Sequence, residues 1–471
     1  MEGAALKTQL LRSFGFTPTA EQDALLDRLA DFMLDLNPRR LFLLKGYAGT
    51  GKTTAVRSVV LSAPMVRRKT VLLAPTGRAA KVMSLYSGKS AQTIHRKIYV
   101  PRVTRQGGVF FERLENKHTN TIFIVDEASM ITGSGGVGEN SLLDDLVEYV
   151  YSGVNCKLLF IGDEAQLPPV HSDLSPALDP EYLGARYDRE ITEHRLTEVV
   201  RQRLDSGILF NATEVRRIIE IDEPEVPRFS IENFPDFIRI REGFELEEAL
   251  NEAYEDGVDN TVVICRSNKR ANLYNGQIRA RIRWQDTDLS AGDYLMVVKN
   301  NYFWLEGNKR SNFIANGDIA EVMAVRRIRE LYGFQFAEAT VRLVDYPDME
   351  EQDVMLLLDT LRVDGPSLDR DSSQRLHQAV KEDYADIPSK YQQRQKIKQN
   401  EYYQALQVKY AYAVTCHKAQ GGQWKHVFVE QAYLPTGEPD IAYLRWLYTA
   451  ITRATEKVYL IGFKDDYFEE S

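Results

Sequence analysis

Long apolar runs are missing from this 471-residue chain, and no stretch reaches the 18 apolar residues that a membrane-spanning helix needs. The amino terminus, MEGAALKTQLLRSFGF, has neither a long apolar core nor a small-residue cleavage site, so it is not read as a signal peptide. Cysteine is scarce. Cys156, Cys265 and Cys416 lie far apart with no metal-ligand spacing, which points to free thiols in a reducing, cytoplasmic setting. Basic excess is absent too. A net charge of −9 counts against nucleic acid as a partner unless local patches override it, since screening confines each charge to roughly 8–10 Å. Neither a fixed-period repeat nor a low-complexity segment is present, and no compact set of carboxylates suggests a nuclease centre. What remains is a globular composition, 44% hydrophobic and 27% charged, in a chain long enough for about three domains.

Four short β-rich runs, LFLLKG, TVLLAPTG, TIFIVDEAS and CKLLFIGDE, alternate with helical stretches and end in polar residues. That order predicts an α/β fold with a parallel sheet whose carboxyl ends carry the ligand groups. Between two of the runs, residues 98–120 hold a Gly-Gly turn and read as an inserted hairpin. A second α/β pattern starts at NTVVICRSNKR and resumes near the end in YAYAVTCHKAQG, KHVFVE and KVYLIGF. The interval between differs in kind, with antiparallel strands of a small barrel followed by an exposed helical stretch broken at Pro388. The expected division is therefore 1–185 for the first core, 186–290 with 406–471 for the second, and 291–405 for an inserted barrel and helices.

The stretch GYAGTGKT, Gly46 to Thr53, fits G-x-x-x-x-G-K-[ST] between a predicted strand and helix. Backbone N–H groups of Gly46, Ala48, Gly49, Thr50, Gly51 and Thr54 are read as a phosphate cradle at a helix N-terminus. Lys52 is expected to reach the β- and γ-phosphates, and Thr53 to ligate Mg²⁺. Asp126 and Glu127 end another apolar strand, a place that suits metal ligation by the first and water activation by the second. Gln166, in LLFIGDEAQLPPV, reads either as a neutral sensor of a γ-phosphate or as a cap in a proline-terminated loop. Arg201 and Arg453 lie far along the chain from the cradle, and spacing alone does not separate them from surface arginines.

Eight motifs occur in one order: GYAGTGKTT, APTGRAAKVM, TIH, VDEAS, GDEAQLPPV, LTEVVRQ, VTCHKAQGGQW and YTAITRATEKV. In this the chain resembles superfamily 1 DNA helicases, closest in appearance to their 5′→3′ RecD-like and Dda-like branch. The resemblance implies two RecA-like domains clamping ATP and Mg²⁺ between them, an SH3-like module as the middle barrel, and a Dda-type helical extension. It assigns Gln22 to the adenine, Gln166 to γ-phosphate sensing, and Arg201 and Arg453 to arginine fingers. Thr76, His95, His417 and Lys418 fall in motifs that line the DNA track or couple it to ATP. It also implies single-stranded DNA and single-strand/duplex junctions as partners, single-strand-binding or replication and repair proteins nearby, and a monomeric motor.

An acidic chain needs local positive charge to hold a polyanion. Arg266, Lys269, Arg270, Arg279, Arg281 and Arg283 lie in one run with no acidic residue. The hairpin region adds Arg96, Lys97, Arg102, Arg105, Arg113 and Lys117. With interleaved aromatics these read as a sequence-independent single-strand track, the alternative being solvated faces. Phe110 and Phe111 read equally as a wedge at a duplex fork or as the hairpin's own small core. Two other function classes fit part of the pattern: a translocase or nuclease-complex subunit that does not itself separate strands, and a phosphate-loop ATPase acting on protein or a small molecule.

Overall fold

The apolar runs singled out above become the strands of a parallel sheet. The structure, a computed structural model, describes residues 2–103, 109–133, 141–170, 172–200, 206–305 and 313–469. In chain order come β1 (Arg40–Gly46), β2 (Lys69–Ala74), β3 (Ala91–Thr93), the hairpin strands β4 (Tyr99–Val103) and β5 (Val109–Arg113), then β6 (Thr121–Val125), β7 (Lys157–Gly162) and β8 (Glu190–Leu196). The sheet order is β3-β2-β6-β7-β1-β8, parallel throughout. Successive residues of β1 point to opposite faces, so Phe42 and Leu44 join one core cluster while Leu41 and Leu43 join another. The first cluster takes in the helices Ala20–Leu34 and Lys52–Ser62, the second the helix Leu142–Ser152. Burial on both faces is why these strands read as continuous apolar runs.

A second all-parallel sheet uses β9 (Phe237–Ile240) and β10 (Thr261–Cys265) with three strands from the chain's end. Between them runs a closed barrel of β11 (Tyr294–Val297), β12 (Ile319–Leu331), β13 (Phe334–Leu343), β14 (Gln352–Leu357) and β15 (Leu406–Tyr410). The helices Arg370–Glu382 and Lys390–Lys398 are inserted before β15. Then β16 (Ala413–Thr415), β17 (Trp424–Glu430) and β18 (Ala454–Ile461) complete the order β16-β10-β17-β18-β9. The fold class is the mixed α/β one expected.

Two joints fall elsewhere than the sequence suggests. Residues 190–196, expected in the second core, form β8 at the edge of the first sheet and pair with β1 along Arg40–Gly46. The segment EITEHRL carries charge because an edge strand is only partly covered, and charge hides its strand character. Residues 406–410, also expected in the second core, close the barrel as β15 against β11 and β14. QVKYAYAV is one β-prone run, and nothing in its pattern marks Ala411–Tyr412 as the point where the chain changes sheets. Among the described residues no helix is long and apolar enough to cross a membrane. The three cysteines are buried and unpaired.

Candidate functional site

The loop from Gly46 to Gly51 joins β1 to the helix Lys52–Ser62. Gly51 has φ +95°, and a Cβ there would lie 2.6 Å from Gln22 Nε2, so glycine is required by both conformation and space. Lys52 Nζ donates to the Gly46 and Tyr47 carbonyls at 2.6 and 2.7 Å, which folds the ammonium into the loop. Thr53 stands exposed at the start of the helix. Gln22 serves the scaffold: its Oε1 accepts the Thr19 N–H at 3.0 Å and its Nε2 donates to the Thr50 carbonyl at 2.9 Å. It thereby ties the capping box of helix Ala20–Leu34 to the cradle.

Asp126 follows β6. Its Oδ1 accepts the Glu127 N–H at 2.8 Å and its Oδ2 accepts the Tyr86 hydroxyl at 2.6 Å. Burial and the adjacent Glu127 push its pKa up, and Lys52 acts in the opposite direction. Glu127 sits at φ +53°, a left-handed setting that costs a non-glycine residue free energy and is found at functional sites. Its Oε1 lies 3.3 Å from Arg453 Nη1. With the Gln166 amide oriented so that both ends are paired, it donates to Glu127 Oε2 at 3.2 Å and accepts from Arg453 Nη2 at 2.9 Å. Arg453 is 4% exposed. Three residues expected in catalysis therefore meet in one triangle, Arg453 coming from more than 280 positions along the chain from the other two. Arg201 lies outside the described residues.

The sequence reading missed the groups that lock this joint. Tyr448 accepts the Ala48 N–H of the cradle at 2.9 Å and donates to Asp163 Oδ2 at 2.8 Å. Burial and Asp163 hold its hydroxyl well above the usual tyrosine range. Thr449 Oγ1 accepts the Leu167 N–H at 2.8 Å, Gln420 Nε2 donates to the Leu167 carbonyl at 2.7 Å, and Arg445 donates to the Glu164 carbonyl. Thus the helix Ile441–Ile451, which precedes Arg453, is docked on the loop after β7. Only its position inside the YTAITRATEKV stretch hinted at Tyr448.

A cavity of about 240 Å³ opens where the first sheet, the second sheet and the barrel meet. Thr76, His417 and Lys418, all expected on a DNA track, line it together with Arg78, Tyr294, Asn316 and Trp424. Burial lowers the pKa of both His417 and Lys418. The Arg78 guanidinium stacks 4.2 Å over the Trp424 ring, a cation–π pair in a wall that suits nucleobases and phosphates. Neither Arg78 nor Trp424 was singled out from the sequence.

His95 lies elsewhere, in a cluster of rings. It sits 5.7 Å from Tyr99 and 6.2 Å from Phe111, and Phe111 also contacts Tyr302 and Phe313 at 5.5 and 6.2 Å. The half-buried Phe111 thus fastens the hairpin to the segment that joins β11 and β12 of the barrel, which corrects both readings of it: it is neither an open wedge nor the hairpin's private core. Phe110 falls in β5, and its side chain lies outside the described residues. The hairpin register runs from Tyr99↔Arg113 to Val103↔Val109, with the tip also undescribed.

Most of the expected basic track is spoken for. Arg279 is a correction. It is 6% exposed and makes a two-pronged ion pair with buried Asp293, both contacts at 2.9 Å. An enclosed bidentate pair has no fork left for a phosphate. Arg270 pairs with Glu430, Arg113 with Asp145 and Glu148, and Arg102 with Glu112. Arg96 is enclosed against Asp318 at 3.4 Å and over the Tyr346 ring at 3.7 Å. Arg283 is half-buried, with Nη2 3.5 Å from the Gly292 carbonyl. Arg281 keeps an exposed side chain and a loose contact, 3.7 Å, with Glu247.

Together these residues form a donor set for a magnesium nucleotide: a glycine-lined loop whose φ angles and clearances exclude side chains, an ammonium, an exposed Thr53 hydroxyl, and carboxylates at Asp126 and Glu127. Hard oxygen ligands of this kind suit Mg²⁺.

Comparison with known proteins adds to this geometry. Residues 19–217 match the family model described as an AAA domain, and residues 410–461 match the UvrD-like helicase C-terminal domain. The ATP-dependent DNA helicase dda of Enterobacteria phage T4 is 26% identical over 306 residues, covering 63% of this chain and 64% of that protein. The ATP-dependent RecD2 DNA helicase of Deinococcus radiodurans is 34% identical over 155 residues, 33% of this chain and 19% of that protein. This chain therefore spans less than two thirds of the length of either relative. Among solved structures, Pif1 helicase from Bacteroides with ADP-AlF3 and ssDNA aligns over 97% of this chain and 95% of that one, at 16% identity and a TM-score of 0.46. The first family match takes in the cradle, Asp126, Glu127 and Gln166, the second takes in His417, Lys418 and Arg453, and the chain is thus similar at both ends of its sequence to superfamily 1 helicases of the RecD/Dda type.

Proposed function

We propose that the chain is an ATP-dependent DNA helicase that moves 5′→3′ along single-stranded DNA and opens duplex ahead of it. One observation carries the reading: Glu127 and Gln166 of the first sheet meet Arg453 of the second beside the cradle. A phosphate-loop site completed by a second domain makes hydrolysis and domain movement a single event. ATP and Mg²⁺ are the cofactors, held by the cradle, Lys52, Thr53 and Asp126; bound there, the cation neutralises charge on the β- and γ-phosphates. Glu127 orients the attacking water and takes its proton. Gln166 relays the state of the site to the loop after β7, and Arg453 supplies positive charge that offsets the negative charge on the transferred phosphoryl group. The cavity lined by Thr76, Arg78, His417, Lys418 and Trp424 lies where both sheets and the barrel converge. A strand held there is gripped and released as the sheets move.

The test has two parts. Hydrolysis should rise on adding single-stranded DNA, and a duplex bearing a 5′ tail should be displaced. No stimulation by DNA would return the chain to the ATPases that act on other substrates. Stimulation without displacement would make it a translocase or a subunit of a larger complex, and displacement from 3′ tails alone would reverse the polarity.

A further inference from the structure

The helix Gly77–Ser87 joins two sites that the nucleotide motifs treat separately. Near its carboxyl end, the Tyr86 hydroxyl donates to Asp126 Oδ2 at 2.6 Å, while Oδ1 accepts the Glu127 N–H at 2.8 Å. A carboxylate engaged on both oxygens keeps one rotational setting, with lone pairs left over on each for a cation. The helix's amino end is equally fixed. Thr76 caps it, accepting the Ala79 N–H at 3.2 Å, and with Arg78 lines the cavity between the sheets. Gly77 packs so closely on the barrel that a Cβ would lie 2.4 Å from Tyr346 Oη and 2.7 Å from Asp318 Oδ1. One turn on, Lys81 Nζ donates to the Val344 carbonyl at 3.2 Å. These 11 residues make a rod of ~16 Å, with cavity and barrel at one end and Asp126 at the other.

We propose that Tyr86 is a positioning residue for Asp126, and that through it the helix Gly77–Ser87 couples strand occupancy of the cavity to cation binding beside the cradle. The coupling rests on the DNA reading above; the positioning does not. An O–H···O hydrogen bond spans roughly 2.5–3.0 Å, so from 2.6 Å a rigid shift of roughly half an ångström or more at Tyr86 carries the contact past that range and frees the Asp126 carboxylate to turn. Coupling of this kind is reciprocal, and a bound cation in turn alters affinity for the strand.

Tyr86→Phe keeps the ring and removes only the hydroxyl. The measurement is a Mn²⁺ titration of the full chain holding a fluorescent ADP, with and without oligothymidylate, alongside a melting curve. Outer-shell partners of metal ligands typically carry 10–100-fold in affinity. The Mn²⁺ half-saturation of Tyr86→Phe should therefore rise about tenfold or more, and the displacement that oligothymidylate causes in the parent should shrink toward zero. Leu85→Ala, its 76% exposed neighbour, should leave both values at those of the parent. An unchanged half-saturation in Tyr86→Phe with parental melting overturns the positioning role. A raised half-saturation with an undiminished oligothymidylate effect overturns the coupling. A parent that neither binds the oligonucleotide nor hydrolyses ATP faster with it overturns the proposed function, while the Mn²⁺ comparison without DNA still decides the role of Tyr86.

Discussion

Arg453 Nη1 lies 3.3 Å from Glu127 Oε1 across the joint between the two parallel sheets, and both side chains share Gln166 as a partner. Arg453 also donates through Nε to the Thr449 carbonyl at 3.2 Å, so its planar fork is set before any phosphate arrives. Arg453→Ala is expected to lower turnover by on the order of 10³-fold, as loss of an arginine finger does, while nucleotide affinity changes much less. Arg453→Lys should not rescue it, since one ammonium cannot span both partners. Single-turnover hydrolysis beside equilibrium binding checks this, and turnover within tenfold of the parent would refute it.

Tyr448 gives a test of the joint itself. Tyr448→Phe leaves the Ala48 N–H and Asp163 Oδ2 without the hydroxyl that links them. Loss of one partner from a buried polar group costs about 1–3 kcal/mol, to be read from urea unfolding, and nucleotide binding should loosen with it. A variant as stable as the parent, with parental nucleotide affinity, would mean that the hydroxyl contributes nothing to docking.

Arg279 and Arg281, two positions apart, should behave oppositely. Arg279→Ala strands buried Asp293, a change expected to cost about 3–5 kcal/mol in stability, without altering the salt dependence of DNA binding. Arg281→Ala should leave stability near parental, and it lowers the slope of log affinity against log salt by about one if the exposed guanidinium meets a phosphate. Filter binding across a salt series, paired with melting curves, separates the two. A slope change in Arg279→Ala with no loss of stability would restore Arg279 to the track.

Asp318 ties the barrel to the first sheet and makes stability depend on pH. Burial, partly offset by Arg96, pushes its pKa up to about 6, against an ordinary ~3.9. Below about pH 4 the carboxyl is protonated whether the chain is folded or not, and it exacts no penalty. As pH rises from there toward 6 the unfolded chain loses its proton first, so stability falls, by roughly 3 kcal/mol once both states are ionised. Asp318→Asn, which resembles the protonated form, should therefore resist urea better than the parent at pH 7, with the gap closing toward pH 4. Equal midpoints at pH 7 would rule out a penalty at this carboxylate.

Residues near one another in the chain were legible from local chemistry. The cradle's glycines, the carboxylates at the end of β6 and the apolar strands each follow from short-range rules: φ freedom, helix-end dipoles, burial of both sheet faces. The order of the motifs carried the family resemblance and, with it, the expectation that Gln166 and Arg453 serve one nucleotide site; that they meet Glu127 there was shown only by the fold. Charge was different. Arg266 to Arg283 has no acidic neighbour in sequence, yet Arg270 finds Glu430 and Arg279 finds Asp293, because a carboxylate 14 or 160 positions away becomes a contact only when the chain folds. Composition therefore suggested a basic track that tertiary pairing largely neutralises. The same holds for Tyr448 on Ala48, Tyr86 on Asp126 and Phe111 on the segment joining β11 to β12. Each is an ordinary aromatic in its own stretch, and each acquires its role from a partner on another element, a choice made by packing and by the need to satisfy buried polar groups.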